Sequence, residues 1–418
     1  MSFFFTLFLI VFGGVLLNRL AKRIHIPPLV LYLLFGILLS VLDEHSSSSF
    51  VILDSGIRNI SSYIRKTALI IILLKAGLSL DLKDLKKVGR PAILRSFLPA
   101  CVERISVGIF GHRIFKLSYI ESFLLGSVLG AVSPAVVVPR RTKLREEKYG
   151  TEKGVPQLII AGSSIDDIIR IVFYQSFLTI EKGGSLSIRT FLNIPISILT
   201  GIVFGLLIGY LLSLLYSKTK REDTLKLILL FSICFGLTFL EELVSPYFGY
   251  SSLLSIITTG LILHKKDPEI SLNLKNGFSK LWILAERFLF ILVGASIKIE
   301  YAEKFLLPSL LLLLISLTFR SLAVSASLIK TKLNLKERAF TILSYLPKAT
   351  VQAAIGGGLL DLGNQLLAAG ASNAESVINA GTIVLSVSVV AILITAPLSA
   401  ILRNLLYPHR LQKEVAEQ

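Results

Sequence analysis

Asp166 and Asp167 stand side by side in an apolar run over 155–180. A run that long can cross a bilayer, for which roughly 20 residues suffice. Ionised carboxylates near the bilayer centre cost about 3 kcal/mol on insertion scales, so they are seldom idle. The chemistry such a pair offers is an ion or proton site. The bland alternatives are a pair neutralised by structural partners, or a loop. Asp166 lies about three helical turns beyond Val155, roughly 16 Å along the axis and near the midplane. Adjacent helical residues point about 100° apart, so the two acids face different neighbours and cannot jointly grip one small ion. One can carry the ion while the other meets a fixed charge. Ser163, one turn before Asp167, is either a neutral oxygen for a dehydrated cation or a helix-packing residue.

These acids need elements to position them. The run 119–139 ends in GAVSPAVVVP over 130–139, where Ser133 and Pro134 interrupt a helix. Proline removes a backbone donor and clashes with the preceding turn. The run 338–360 has a counterpart in LPKATVQAAIG, with Pro347 beside an intramembrane Lys348. Interrupted helices at midplane leave backbone groups free to line a cavity. Glu103 in the run 91–111 and Arg320 in the run 305–329 occupy matching places in the two halves, which predicts a structural ion pair. Lys348 is the natural partner for one aspartate. Arg170, four residues after Asp166, offers a second way to neutralise that acid and would free Lys348. Lys75, Arg95, Arg104, Glu286 and Arg287 read as snorkelling or packing charges.

Composition sets the frame. The chain has 418 residues, 53% hydrophobic and 17% charged, with a mean hydropathy of +0.74. That is a polytopic membrane protein. The net charge of +17 raises nucleic acid as a partner. Its Lys and Arg fall in loops between apolar runs, which excludes that reading in favour of the positive-inside rule. Cys101 and Cys234 lie within apolar runs and read as small buried side chains. About 13 apolar runs alternate with lysine-rich and lysine-poor loops; Asp361–Ser376 is one of the poor ones. The rich set is expected in the cytoplasm, which puts the N-terminus outside and the C-terminus inside. The tail after Tyr407 is short, and no regulatory domain is expected from it. The first run lacks a basic leader and reads as a retained span.

A weak repeat links Leu73–Asp81 with Leu292–Glu300, seven spans apart. An odd offset inverts the second copy. The expected fold is all-α: about 13 transmembrane helices in two inverted six-helix repeats joined by a linker helix.

On GAVSPAVVVP (130–139), EKGVPQLIIAGSSIDDI (152–168), LPKATVQAAIG (346–356) and ALIIILLKAGLSLD (68–81), the chain resembles the monovalent cation:proton antiporter superfamily, in its two-aspartate sodium/proton branch. The resemblance implies crossed broken helices and an elevator transporter. It implies dimerisation-domain helices over 1–90 and 224–304, core helices over 91–180 and 305–407, a linker helix over 181–223 and a cytoplasmic tail over 408–418. It implies that Asp167 alternately holds Na+ (or Li+) and a proton, that Asp166 pairs with Lys348, and that Glu103 pairs with Arg320. A homodimer in the cell membrane, lipid contacts and no cofactor are further expectations. Arg170 departs from the small or apolar residue expected there. A potassium/proton antiporter and a sodium-coupled organic anion symporter are rival readings. An intramembrane aspartyl protease needs acids from two helices facing one water, which neighbours on one helix cannot provide, so no enzyme is expected.

Overall fold

The computed structural model describes residues 3–45, 54–80, 90–130, 149–150, 155, 170–182, 188–218, 222–244, 247–329, 331 and 333–411. Among them the regular structure is helical. The helices are α1 Phe3–Ile24, α2 Pro28–Glu44, α3 Ser55–Gly77, α4 Arg90–Phe115, α5 Tyr119–Leu129, α6 Ile188–Lys218 and α7 Asp223–Val244. They continue with α8 Ser252–Lys266, α9 Pro268–Ala295, α10 Ile299–Ser327, α11 Leu335–Leu343, α12 Thr350–Ile355, α13 Gly358–Ala368 and α14 Ala374–Arg410. A further helical stretch covers 170–182.

Local chemistry explains where these helices start. Pro28 opens α2, where its fixed φ suits the first turn and its missing N–H costs nothing. Ser118 and Glu121 form a capping box at the head of α5, and Asn334 and Glu337 form one at the head of α11. Pro99, Pro195 and Pro308 lie inside α4, α6 and α10 without ending them. Pro347 stands where helix is absent: α11 stops at Leu343, and α12 begins only at Thr350.

Five of the described helices hold windows long and apolar enough to cross a membrane, in α1, α6, α7, α10 and α14. The others fall short for visible reasons. α3 carries Arg65, Lys66 and Lys75, and α4 carries Glu103 and Arg104. α8 has only 15 residues, but Ser252–Gly260 is buried along its whole length. The stretch Asp361–Ser376, expected as a loop, instead begins within α13.

The chain divides into two compact units. The first comprises Met1–Arg65, Asp84–Arg170 and Arg287–Gln418. In it α4 packs on α5 and α10, α14 packs on α10, α11, α12 and α13, and α12 also meets α5. α2 and the end of α9 cross with their backbones in contact: a Cβ at Gly294 would lie 2.2 Å from the Leu33 carbonyl oxygen, and one at Gly36 would lie 2.0 Å from that of Ile291. The second unit comprises Lys66–Lys83 and Ile171–Glu286, with α8 packed on α6 and α7. It has a crossing of the same kind, where a Cβ at Gly77 would lie 2.4 Å from the Ile257 carbonyl oxygen and 3.2 Å from Gly260 Cα. Each crossing joins one helix from the first half of the sequence to one from the second. Small residues permit this approach, which is how helices associate where lipid removes the hydrophobic drive.

Candidate ion-translocation site

Glu103 lies in α4 with none of its surface exposed, as do Arg320 of α10 and Lys348 at the Pro347 interruption. Two cations converge on this one carboxylate. Lys348 Nζ donates to Oε1 at 2.5 Å, and Arg320 Nη1 donates to Oε2. Ser316, one turn before Arg320, also donates its hydroxyl to Oε1 at 2.5 Å. Charges fully removed from water are tolerated only when paired and hydrogen-bonded in this way.

The same side chains hold the helix ends in place. Arg320 Nε donates to the Tyr345 carbonyl, and Nη1 donates to that of Gly130, both at 2.7 Å. Gly130 is the C-cap of α5, and Tyr345 lies just past the end of α11. The Lys348 amide donates to Thr395 Oγ1 of α14 at 2.8 Å. The Ala349 amide, at the N-cap of α12, donates to Gln352 Oε1 at 2.8 Å. Gln352 Nε2 in turn donates to the Leu129 carbonyl at 3.2 Å. Helix ends leave backbone groups without intrahelical backbone partners; here buried side chains supply them.

Of the residues singled out in the sequence, the structure brings together Glu103, Arg320, Lys348 and the Pro347 interruption. Lys348, expected opposite Asp166, is seated on Glu103. Asp166, Asp167, Ser163, Ser133 and Pro134 lie outside the described residues. Arg170 is fully buried and packs against the end of α5, where a Cβ at Gly130 would lie 3.3 Å from its Nε. Arg104, expected as a snorkelling or packing charge, is buried as well. Ser316, Gln352 and Thr395 were not singled out. Ser316 carried a signal in its one-turn spacing from Arg320, and Gln352 lay within the quoted LPKATVQAAIG. Thr395 carried none, because hydroxyls that bond back to their own helix are common in apolar helices. Among the described residues no group of three or more His, Cys, Asp or Glu is placed to hold a metal.

Helices long and apolar enough to cross a bilayer, with helix ends meeting at a buried cluster of charge, fit a multi-pass membrane transporter. A sequence model for the family described as "Sodium/hydrogen exchanger, transmembrane" matches residues 7–403, and the chain belongs to that family. It is 31% identical to sodium/hydrogen exchanger 9B1 of Homo sapiens over 430 residues, which covers 98% of this chain and 78% of the relative. It is 33% identical to sodium/hydrogen exchanger 9B2 of Homo sapiens over 360 residues, covering 84% of this chain and 65% of that protein. Its fold matches the structure of the sodium proton antiporter MjNhaP1 from Methanocaldococcus jannaschii with a TM-score of 0.78. That match has 23% identity and covers 96% of this chain and 97% of the other.

Proposed function

We propose that the protein exchanges sodium ions for protons across a membrane, with Asp167 as the group that holds one or the other. The observation that carries this is the convergence of Lys348 and Arg320 on the single carboxylate of Glu103. Among the described residues the buried cluster holds more cations than acids, which calls for another acid, and the sequence supplies Asp166 and Asp167 just before the buried Arg170. Asp166 answers the surplus charge. Asp167 is then left to alternate between proton and metal, with Ser163 as a neutral ligand. Burial favours the protonated acid and a bound cation favours the ionised one, so each ligand expels the other.

The hydrogen bonds from Arg320 and Gln352 join the ends of α5, α11 and α12. They favour movement of those helices as one body over separate opening at either interruption, which fits an elevator mechanism with core helices over 91–180 and 305–407. Helices over 1–90 and 224–304 serve as the scaffold and dimer contact. The cell membrane is the site of action, the lysine-rich loops face the cytoplasm, and lithium is accepted in place of sodium.

Proteoliposomes loaded with a pH-sensitive dye test the reading. An outward sodium gradient is expected to acidify the lumen, and a lithium gradient is expected to do the same. Proton movement that responds to potassium alone, or to no cation, would refute it.

A further inference from the structure

The two helix ends around the charge cluster meet through a residue that carries no charge. α5 stops at Leu129, and α12 starts at Thr350 after the Pro347 interruption. Each end leaves backbone groups that its own helix cannot satisfy. Gln352 serves one group at each: its amide oxygen accepts from the Ala349 N–H at 2.8 Å, and its amide nitrogen donates to the Leu129 carbonyl at 3.2 Å. The side chain is completely buried.

We infer that Gln352 is a positioning residue for transport, a neutral cross-link that fixes the end of α5 against the start of α12 and so sets the geometry on which cation affinity depends. This rests on the exchange function proposed above. A carboxamide suits the place. It has a donor and an acceptor on one planar group; a carboxylate cannot donate, an ammonium cannot accept, and an apolar side chain leaves both backbone groups unserved in a dry interior. The bonds of Arg320 to Gly130 and Tyr345 tie α5 to the other side of the interruption. The end of α5 is therefore gripped twice, once through a charged group and once through a neutral one. The neutral link can be altered without disturbing the charge balance at Glu103. Sites held this way lose binding when the supporting contact is lost, because the geometry loosens.

The test uses the full-length protein. Gln352→Met keeps the length of the side chain and removes the amide. Hydrogen exchange is measured in detergent, and sodium-driven proton movement is measured in proteoliposomes. The expected result is faster exchange in peptides from both 119–130 and 349–356. The apparent KM for sodium should rise about tenfold, the scale of one lost buried hydrogen bond, while the maximal rate stays within a few-fold of the parent. Gln352 as a mere cap of α12 would give faster exchange in 349–356 alone and an unchanged KM, and either finding would overturn the assignment. If Gln352→Met does not fold, Gln352→Asn, one methylene too short to reach Leu129, is expected to show the same changes on a smaller scale; parental values for it would overturn the assignment too. Absence of sodium-driven exchange in the parent would instead sink the functional reading. The hydrogen-exchange comparison would still decide whether Gln352 joins the two helix ends.

Discussion

Glu103 and Arg320 lie 217 residues apart in sequence, yet they form an ion pair with no exposed surface on either side. Lys348 shares the same carboxylate. The cost of removing three charges from water is offset only while all three stay together. Ser316 and the carbonyls of Gly130 and Tyr345 add hydrogen bonds to the cluster.

Glu103→Gln keeps the shape and removes the charge. It leaves Arg320 and Lys348 buried against a neutral amide, and breaking a buried pair from one side costs about 3–5 kcal/mol. Purified Glu103→Gln protein is expected to melt well below the parent in detergent. A thermal unfolding scan that superimposes on the parent's would show that the carboxylate does not hold α4 to α10.

The glycine crossings make a contrasting pair. At Gly294 a Cβ would sit 2.2 Å from the Leu33 carbonyl oxygen, 3.0 Å from Ile37 N and 3.1 Å from Gly36 Cα. These are backbone atoms, so neither helix can yield by turning a side chain. At Gly236 in α7 nothing lies within 4 Å. Gly294→Ala is expected to destabilise by at least the 1–3 kcal/mol or so of an overpacked core. Gly236→Ala is expected to be neutral, or to gain up to about 1 kcal/mol of helix propensity. Melting temperatures of the two variants, measured side by side, check the claim. Equal shifts would mean that α2 and α9 are not in backbone contact.

The charged cluster was partly legible in the sequence because charge is rare in an apolar run, and the repeat gave Glu103 and Arg320 matching places. The meeting of Lys348 with Glu103 was not legible, since spacing along one helix says nothing about which neighbouring helix a side chain will reach. The Pro347 interruption could be read from proline chemistry alone. α9 begins at Pro268, well before its apolar part. Its first turns carry Glu269, Asn273, Lys275 and Asn276, and a hydropathy reading ends where such residues start. α13 was missed for the opposite reason: its 11 residues straddle the end of the run expected to stop at 360 and the stretch expected as a loop from Asp361.

Arg65 of α3 and Asp361 of α13 form a second, less deeply buried pair at 2.5 Å, with side chains 7% and 22% exposed. Arg65 also donates to Ser61 Oγ at 2.8 Å, and a Cβ at Gly357 would lie 3.3 Å from its guanidinium carbon. The pair therefore pins the part of α3 up to Arg65 beside the Gly356–Gly357 junction between α12 and α13. Arg65→Gln and Asp361→Asn should each destabilise. Their double mutant should fall short of the sum by about 1 kcal/mol, as residues in contact do. Additive effects in a double-mutant cycle on melting would show that the two charges do not interact.

Asp167→Asn tests the exchange chemistry itself. Asparagine keeps the size and one acceptor oxygen but can neither ionise nor take up the transported proton. The variant is expected to fold with the melting behaviour of the parent and to show no sodium-driven proton movement in proteoliposomes. Lys348→Ala separates the neighbouring role. It removes one of two cations from Glu103 and leaves Arg320 and Ser316 in place, so the loss of stability should be smaller than for Glu103→Gln. If Lys348 also balances Asp166, the number of protons moved per cation should change, read as an altered response of exchange to a clamped membrane potential. Lys348→Ala protein with parental melting and parental voltage response would place the lysine outside both the ion pair and the transport cycle. Robust sodium-dependent proton flux in Asp167→Asn would remove that aspartate from the cycle.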